Sequence, residues 1–128
     1  MRTAILLPLV LLIGCNNKPG AAPLAAADWT IADVVRRLES KGLKVESWQS
    51  SDWVLIDLKN AKGVPEKDRE VKATRFINPE SARNTLRSRK EAAELRNKAK
   101  PMDDHFHLHG LILFEGHPAA IRAIRAAL

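Results

Sequence analysis

The eleven residues "HFHLHGLILFE", His105 to Glu115, alternate with a period of two, and the way they point decides what sheet the chain builds. Read as one continuous strand, they put Phe106, Leu108, Gly110, Ile112 and Phe114 on one side. His105, His107, His109, Leu111, Leu113 and Glu115 fall on the other. The first side is almost wholly apolar and is assigned to the core. The second begins with three imidazoles and turns apolar halfway along, so the histidines are expected on a solvated or helix-covered polar face.

Three histidines in this spacing raise the question of a metal. Residues two apart on a strand lie about 6.6 Å apart, within reach of one ion held at about 2.0–2.1 Å by two imidazoles. His105 and His109 lie about 13 Å apart, too far to share an ion on a single strand. A zinc or copper site would therefore use His105/His107 or His107/His109, completed by Asp103, Asp104 or a neighbouring strand. His117 falls about 20 Å from His107 on this reading and stays outside any such site. Placed before Pro118, it reads as the cap of a helix start, with anion binding there as an alternative. A pH-sensing cluster of imidazoles, and a plain polar face without chemistry, remain open beside the metal reading.

The segments before this strand are marked by local signals. In "DWTIADVVRRLESKGLKVE", Thr30 is an N-cap with Asp33 three residues on, a shortened capping box. Trp29 and Val34 take the positions of a hydrophobic staple, and Ile31, Val34, Val35 and Leu38 form one helical stripe. Gly42 suits the left-handed residue that ends the helix, with Leu43 placed to touch Leu38. "LKVESW" and "WVLIDL" then read as strands flanking a turn at 49–52, and Lys59 to Glu70 as a charged loop. "VKATRFI" is a third strand. Asn78-Pro79 opens a long helix to about Lys98, closed by Lys100-Pro101. After the His-bearing strand, Gly116-His117-Pro118 leads into a last helix with Ile121, Ile124 and Leu128 on one face. The expected fold is α+β in the order α-β-β-β-α-β-α: a four-stranded, largely antiparallel sheet with helices packed on one face.

The other end of the chain reads as an address. "MRTAILLPLVLLIGC" has a positive Arg2, an apolar run from Ala4 to Ile13, and a small Gly14 before Cys15. Ten apolar residues are too few to span a bilayer, which takes about 20, and fit a signal-peptide core. Leu12-Ile13-Gly14-Cys15 resembles the lipobox of bacterial lipoproteins, with Ile13 a less common variant at its position. The resemblance covers residues 1–15 alone. It implies cleavage before Cys15, a diacylglycerol on its thiol, an acylated amino group, and hence a membrane anchor on the exterior face of the cell envelope. Asn16, where Asp would favour inner-membrane retention, favours the outer membrane. Two or three acyl chains, at about 0.8 kcal/mol per buried methylene, hold where one is marginal. The division is then a leader at 1–14, lipidated Cys15 with a Pro- and Ala-rich tether to residue 28, and a single domain at 29–128. Thirteen tether residues reach about 20 Å on average.

The 128 residues carry 21 basic and 15 acidic side chains, and much of the excess sits in one helix. Between Pro79 and Lys100, Arg83, Arg87, Arg89, Lys90, Arg96, Lys98 and Lys100 face three acids, Glu80, Glu91 and Glu94. The apolar stripe there is thin: Ala82, Leu86 and Ala93 align, and Arg89 interrupts them. One reading is a solvated helix laced by pairs such as Glu94–Lys98. The other is an interaction patch for an acidic envelope partner or anionic head groups. Nucleic acid is not expected, since the anchor places the domain outside the cytoplasm and no aromatic residues interleave with the arginines.

What the sequence lacks narrows chemistry further. One cysteine excludes an internal disulfide and a thiolate zinc cluster. There is no tyrosine, no phosphate-binding glycine loop and no nucleophile elbow. The expectation is a binding module rather than an enzyme, without a cofactor, and a metal-binding module on His105, His107 and His109 is the rival.

Overall fold

The computed structural model describes residues 25–49, 53–98 and 100–128. Cys15, the rest of the lipobox and most of the tether lie outside the described residues, as do residues 50–52 of the expected first turn.

Helix α1 (Ile31–Ser40) is bounded as its sequence demands. Thr30 Oγ1 accepts from the Asp33 amide at 3.2 Å, and the Thr30 amide donates to Asp33 Oδ2 at 2.8 Å. At the other end Gly42 takes φ +87°, the Leu43 amide donates to Leu38 O, and the Gly42 amide donates to Glu39 O. These two bonds satisfy carbonyls that the helix end would otherwise leave bare. Strands β1 (Val45–Gln49), β2 (Trp53–Leu58) and β3 (Glu70–Arg75) follow. The charged loop before β3 is less polar than its composition suggests, because Ala61 and Val64 turn inward and close the end of the core.

Helix α2 (Pro79–Arg96) starts on Asn78, whose side chain accepts from the Ser81 amide at 2.8 Å. It stops two residues short of the expected end, since Lys98 adopts a left-handed φ of +57°. Lys98 is thus beyond the helix, and the expected Glu94–Lys98 pair is not made. The last segments are β4 (Phe106–His109), β5 (Ile112–Gly116) and α3 (Pro118–Ala127).

The sheet therefore has five strands, not four. His105–Glu115 is not one strand but a hairpin, turning on Gly110 and Leu111 with His109 opposite Ile112. Gly110 holds φ +61°, a conformation open to glycine and costly for other residues, and a glycine in the first turn position suits a two-residue hairpin loop. The strand order is β1-β2-β3-β5-β4, antiparallel throughout.

The turn reverses the expected faces. Residues paired across an antiparallel ladder point to the same side, so His107 joins Phe114 and His109 joins Ile112. Phe106 and Leu108 instead join Glu115 and Leu113. The helices accordingly cover both faces rather than one. On the first, α1 and α3 bury Val34, Leu38, Ile121 and Ile124 against Ile56, Val71, Ile112 and Phe114. On the second, α2 covers the β4–β5 end, where Ala93, Phe106 and Leu113 pack with Leu86, Phe76 and Leu108. Arg37 Nε ties α1 to α3 by donating to Ala127 O at 3.1 Å.

Candidate functional site

The hairpin sorts the four imidazoles into two pairs. His107 and His109 have ring centroids 6.3 Å apart on β4. His105, in a single 3-10 turn (Asp103–His105), has its ring 6.4 Å from that of His117. The expected exclusion of His117 is thus overturned for one partner: the fold-back of β5 carries it beside His105. Gly110 inside an alternating run was the sequence signal for this.

The first pair is half-buried at the margin of the main core. His107 stacks on Phe114 at 6.1 Å, and Arg125 Nε donates to its Nδ1 at 3.4 Å. The ring accepts from a guanidinium only as neutral imidazole. Burial first, then Arg125 and His109, hold its pKa below the ordinary histidine value. Burial also lowers the pKa of His109, whose ring meets the edge of Trp29 at 4.7 Å. His109 Nε2 is buried without a hydrogen-bond partner among the described residues. In the second pair, His117 accepts at Nδ1 from the Ala119 amide at 3.2 Å, the expected cap, and its Nε2 stands 3.6 Å from Asp68 Oδ2. His105 Nδ1 lies 3.5 Å from Asp104 Oδ1 without a hydrogen bond.

As a coordination set this is poor. Among the described residues, no group of three or more His, Cys, Asp or Glu side chains is placed to hold an ion. In the β4 pair one nitrogen already faces Arg125, whose positive charge opposes a second cation there.

The pair instead marks where the chain enters the domain. A 3-10 turn (Ala26–Asp28) lies across the β4–β5 turn, so close that a Cβ on Gly110 would collide with Ala26 O. Arg75 Nε donates to Trp29 O at 2.9 Å, and Trp29 abuts His109. Residues 26–29 are thus packed against this end of the sheet.

The seven basic residues of the expected patch divide in the same way. Arg89 turns toward the sheet and pairs with Glu115, and Lys90 pairs with Asp103. Arg87 donates to Asn84 Oδ1 at 3.0 Å along the helix and is exposed. Arg83, Arg96, Lys98 and Lys100 are exposed and form no ion pair among the described residues. The interruption of the apolar stripe at Arg89 was legible in the sequence; its partner, on a strand 26 residues away, was not.

No protein-family model, curated protein or solved structure matches the chain. Fold and site together define an α+β domain with two helices on one sheet face and one basic helix on the other. Among the described residues, no helix is long and apolar enough to cross a membrane.

Proposed function

We propose that this protein is a lipid-anchored binding domain of the bacterial cell envelope, acylated at Cys15, that presses the exposed side of α2 against anionic head groups. The sequence support is the leader and lipobox at residues 1–15. The observation that carries the binding reading is the end of the sheet at which the tether arrives. The Ala26–Asp28 turn lies on the β4–β5 turn, and the Phe76 amide, just before α2, donates to Leu111 O in that same turn at 2.8 Å. The first turns of α2, with Arg83 and Arg87 exposed, thus begin at the end of the domain from which an anchor would pull. Each basic side chain near an anionic surface contributes about 1 kcal/mol. The positive end of the helix dipole favours the same contact.

Fractionation of cells carrying wild type and Cys15→Ala tests the anchor. Wild type is expected with membranes and the variant outside them; a variant that still sediments with membranes contradicts the reading. An acidic envelope protein in place of lipid would appear as α2-dependent crosslinks to protein, with no preference among lipids.

A further inference from the structure

Helix α2 covers only part of its sheet face. Toward β2 and β3 the face is left open, and a cleft of about 400 Å³ lies between the sheet and α2. That volume is within the range of small-molecule sites. Its strand side carries Trp53, Lys72 and Thr74; Arg89 closes it from the helix, and Arg75 and Ile77 edge it.

Three features of the cleft are unusual for surface left over between elements. Lys72 and Arg89 bring positive charge to it, Arg75 borders it with its guanidinium turned to Trp29 O, and no carboxylate lines it among the described residues; Glu115 stands beside it, already paired with Arg89. Lys72 Nζ lies over the Trp53 indole, 5.2 Å from the ring centroid, so a fixed positive charge is stacked on a flat apolar surface. Thr74 is 92% buried, and its hydroxyl has no hydrogen-bond partner among the described residues. Buried hydroxyls are nearly always paired, so the Thr74 hydroxyl has hydrogen-bonding capacity that the described residues leave unused. Ile77, 88% exposed, adds apolar surface at the edge that nothing among the described residues covers.

We propose that this cleft binds a small organic anion, an aromatic or aliphatic body ending in a carboxylate or phosphate. The body packs on Trp53 and Ile77. The anionic group is held by Lys72; the Arg75 guanidinium, whose Nε donates to Trp29 O on the opposite sheet face, takes no part. An oxygen of the ligand supplies the acceptor that the Thr74 hydroxyl lacks. The ligand seats against the sheet, not on the outer side of α2, so the inference stands whether or not α2 meets a membrane.

The test is calorimetric titration of the full acylated chain in phosphatidylcholine nanodiscs. The probes are phenyl phosphate, benzoate, inorganic phosphate, benzyl alcohol and benzylamine; empty nanodiscs give the blank. Saturable binding of phenyl phosphate or benzoate is expected, at least tenfold tighter than inorganic phosphate, with none of the alcohol or amine. The stronger of the two tells phosphate from carboxylate. Lys72→Met should weaken that binding at least fivefold. Thr74→Val, which removes the unpaired hydroxyl at constant shape, should weaken it while leaving the unfolding midpoint equal to or above that of wild type. The proposal is overturned by the absence of saturable binding below about 10 mM, by equal binding of benzylamine, or by unchanged affinity in both variants.

Discussion

The two helical layers of this domain are built on different terms. On one face, α1 and α3 sink Val34, Leu38, Ile121 and Ile124 into a core where each is at most 1% exposed. On the other, the 18-residue α2 buries only Ala82 and Ala93 and leaves Leu95 81% exposed. A helix of that length, about 27 Å, that contributes two buried alanines to the core adds little hydrophobic stabilisation for its size. Beside them Leu86 is only partly buried, and the helix is tied down further by polar contacts, Arg89 to Glu115 and Lys90 to Asp103. The contrast teaches that α1 and α3 hold the fold, whereas α2 presents a surface and leaves an open cleft beneath it.

The largest effects should come from the first layer. Leu38→Ala, at a fully buried position, is expected to cost about 2–5 kcal/mol in chemical denaturation. Leu95→Ala, the same truncation on α2, should stay within about 0.5 kcal/mol. Equal losses at the two positions would erase the contrast.

Next in size is the seam where the chain enters. Gly110→Ala meets two penalties: a positive φ, and Ala26 O in the place of its Cβ. The positive φ alone costs about 1 kcal/mol. The clash should lift the 26–30 segment, so the variant is expected to lose stability and to gain protease cleavage near Ala26. Unchanged cleavage there would mean that the segment is not seated on the turn.

A smaller effect should follow pH. Burial lowers the folded-state pKa of His107 and His109, so below the ordinary histidine value near 6.5 the unfolded chain binds more protons than the folded one. The stability these neutral rings permit is fully present above about pH 6.5 and is lost as pH falls toward their lowered values. Arg125, facing His107, opposes protonation further. Both rings are only partly buried, so the loss is modest. Thermal unfolding from pH 7.5 to 5.5 should show a decline that shrinks in His107→Gln/His109→Gln. A double variant as acid-sensitive as wild type would place the titration elsewhere.

These regions also differ in how far their sequence could be read. Both ends of α1 are written in side chains that act locally, Thr30, Asp33 and Gly42, and their bonds form as expected. The α+β class and the caps of α2 and α3 at Asn78 and His117 were legible for the same reason. The β4–β5 hairpin was not. Phe106, Leu108, Gly110, Ile112 and Phe114 keep the parity of a single strand, so alternation runs unbroken through a turn that reverses every face after it. The physical clue was "ILF": Ile112, Leu113 and Phe114 are all fully buried, as befits a strand covered on both sides, where alternation carries no information. With the turn in place, the fifth strand, helices on both faces, and the meeting of His105 with His117 all follow. The charge of α2 was plain in the sequence, but which arginine turns inward depends on Glu115, and the register that brings it near is set only by the hairpin.

The most direct test of α2 as a membrane-facing surface is hydrogen–deuterium exchange across residues 79–98 of the full acylated chain, in nanodiscs of phosphatidylglycerol and of phosphatidylcholine. Extra protection in the anionic lipid is expected. It should fade as salt is raised and be lost in Arg83→Glu/Arg87→Glu, whose stability stays within about 0.5 kcal/mol of wild type. Equal protection in the two lipids, or protection indifferent to both salt and charge reversal, contradicts it.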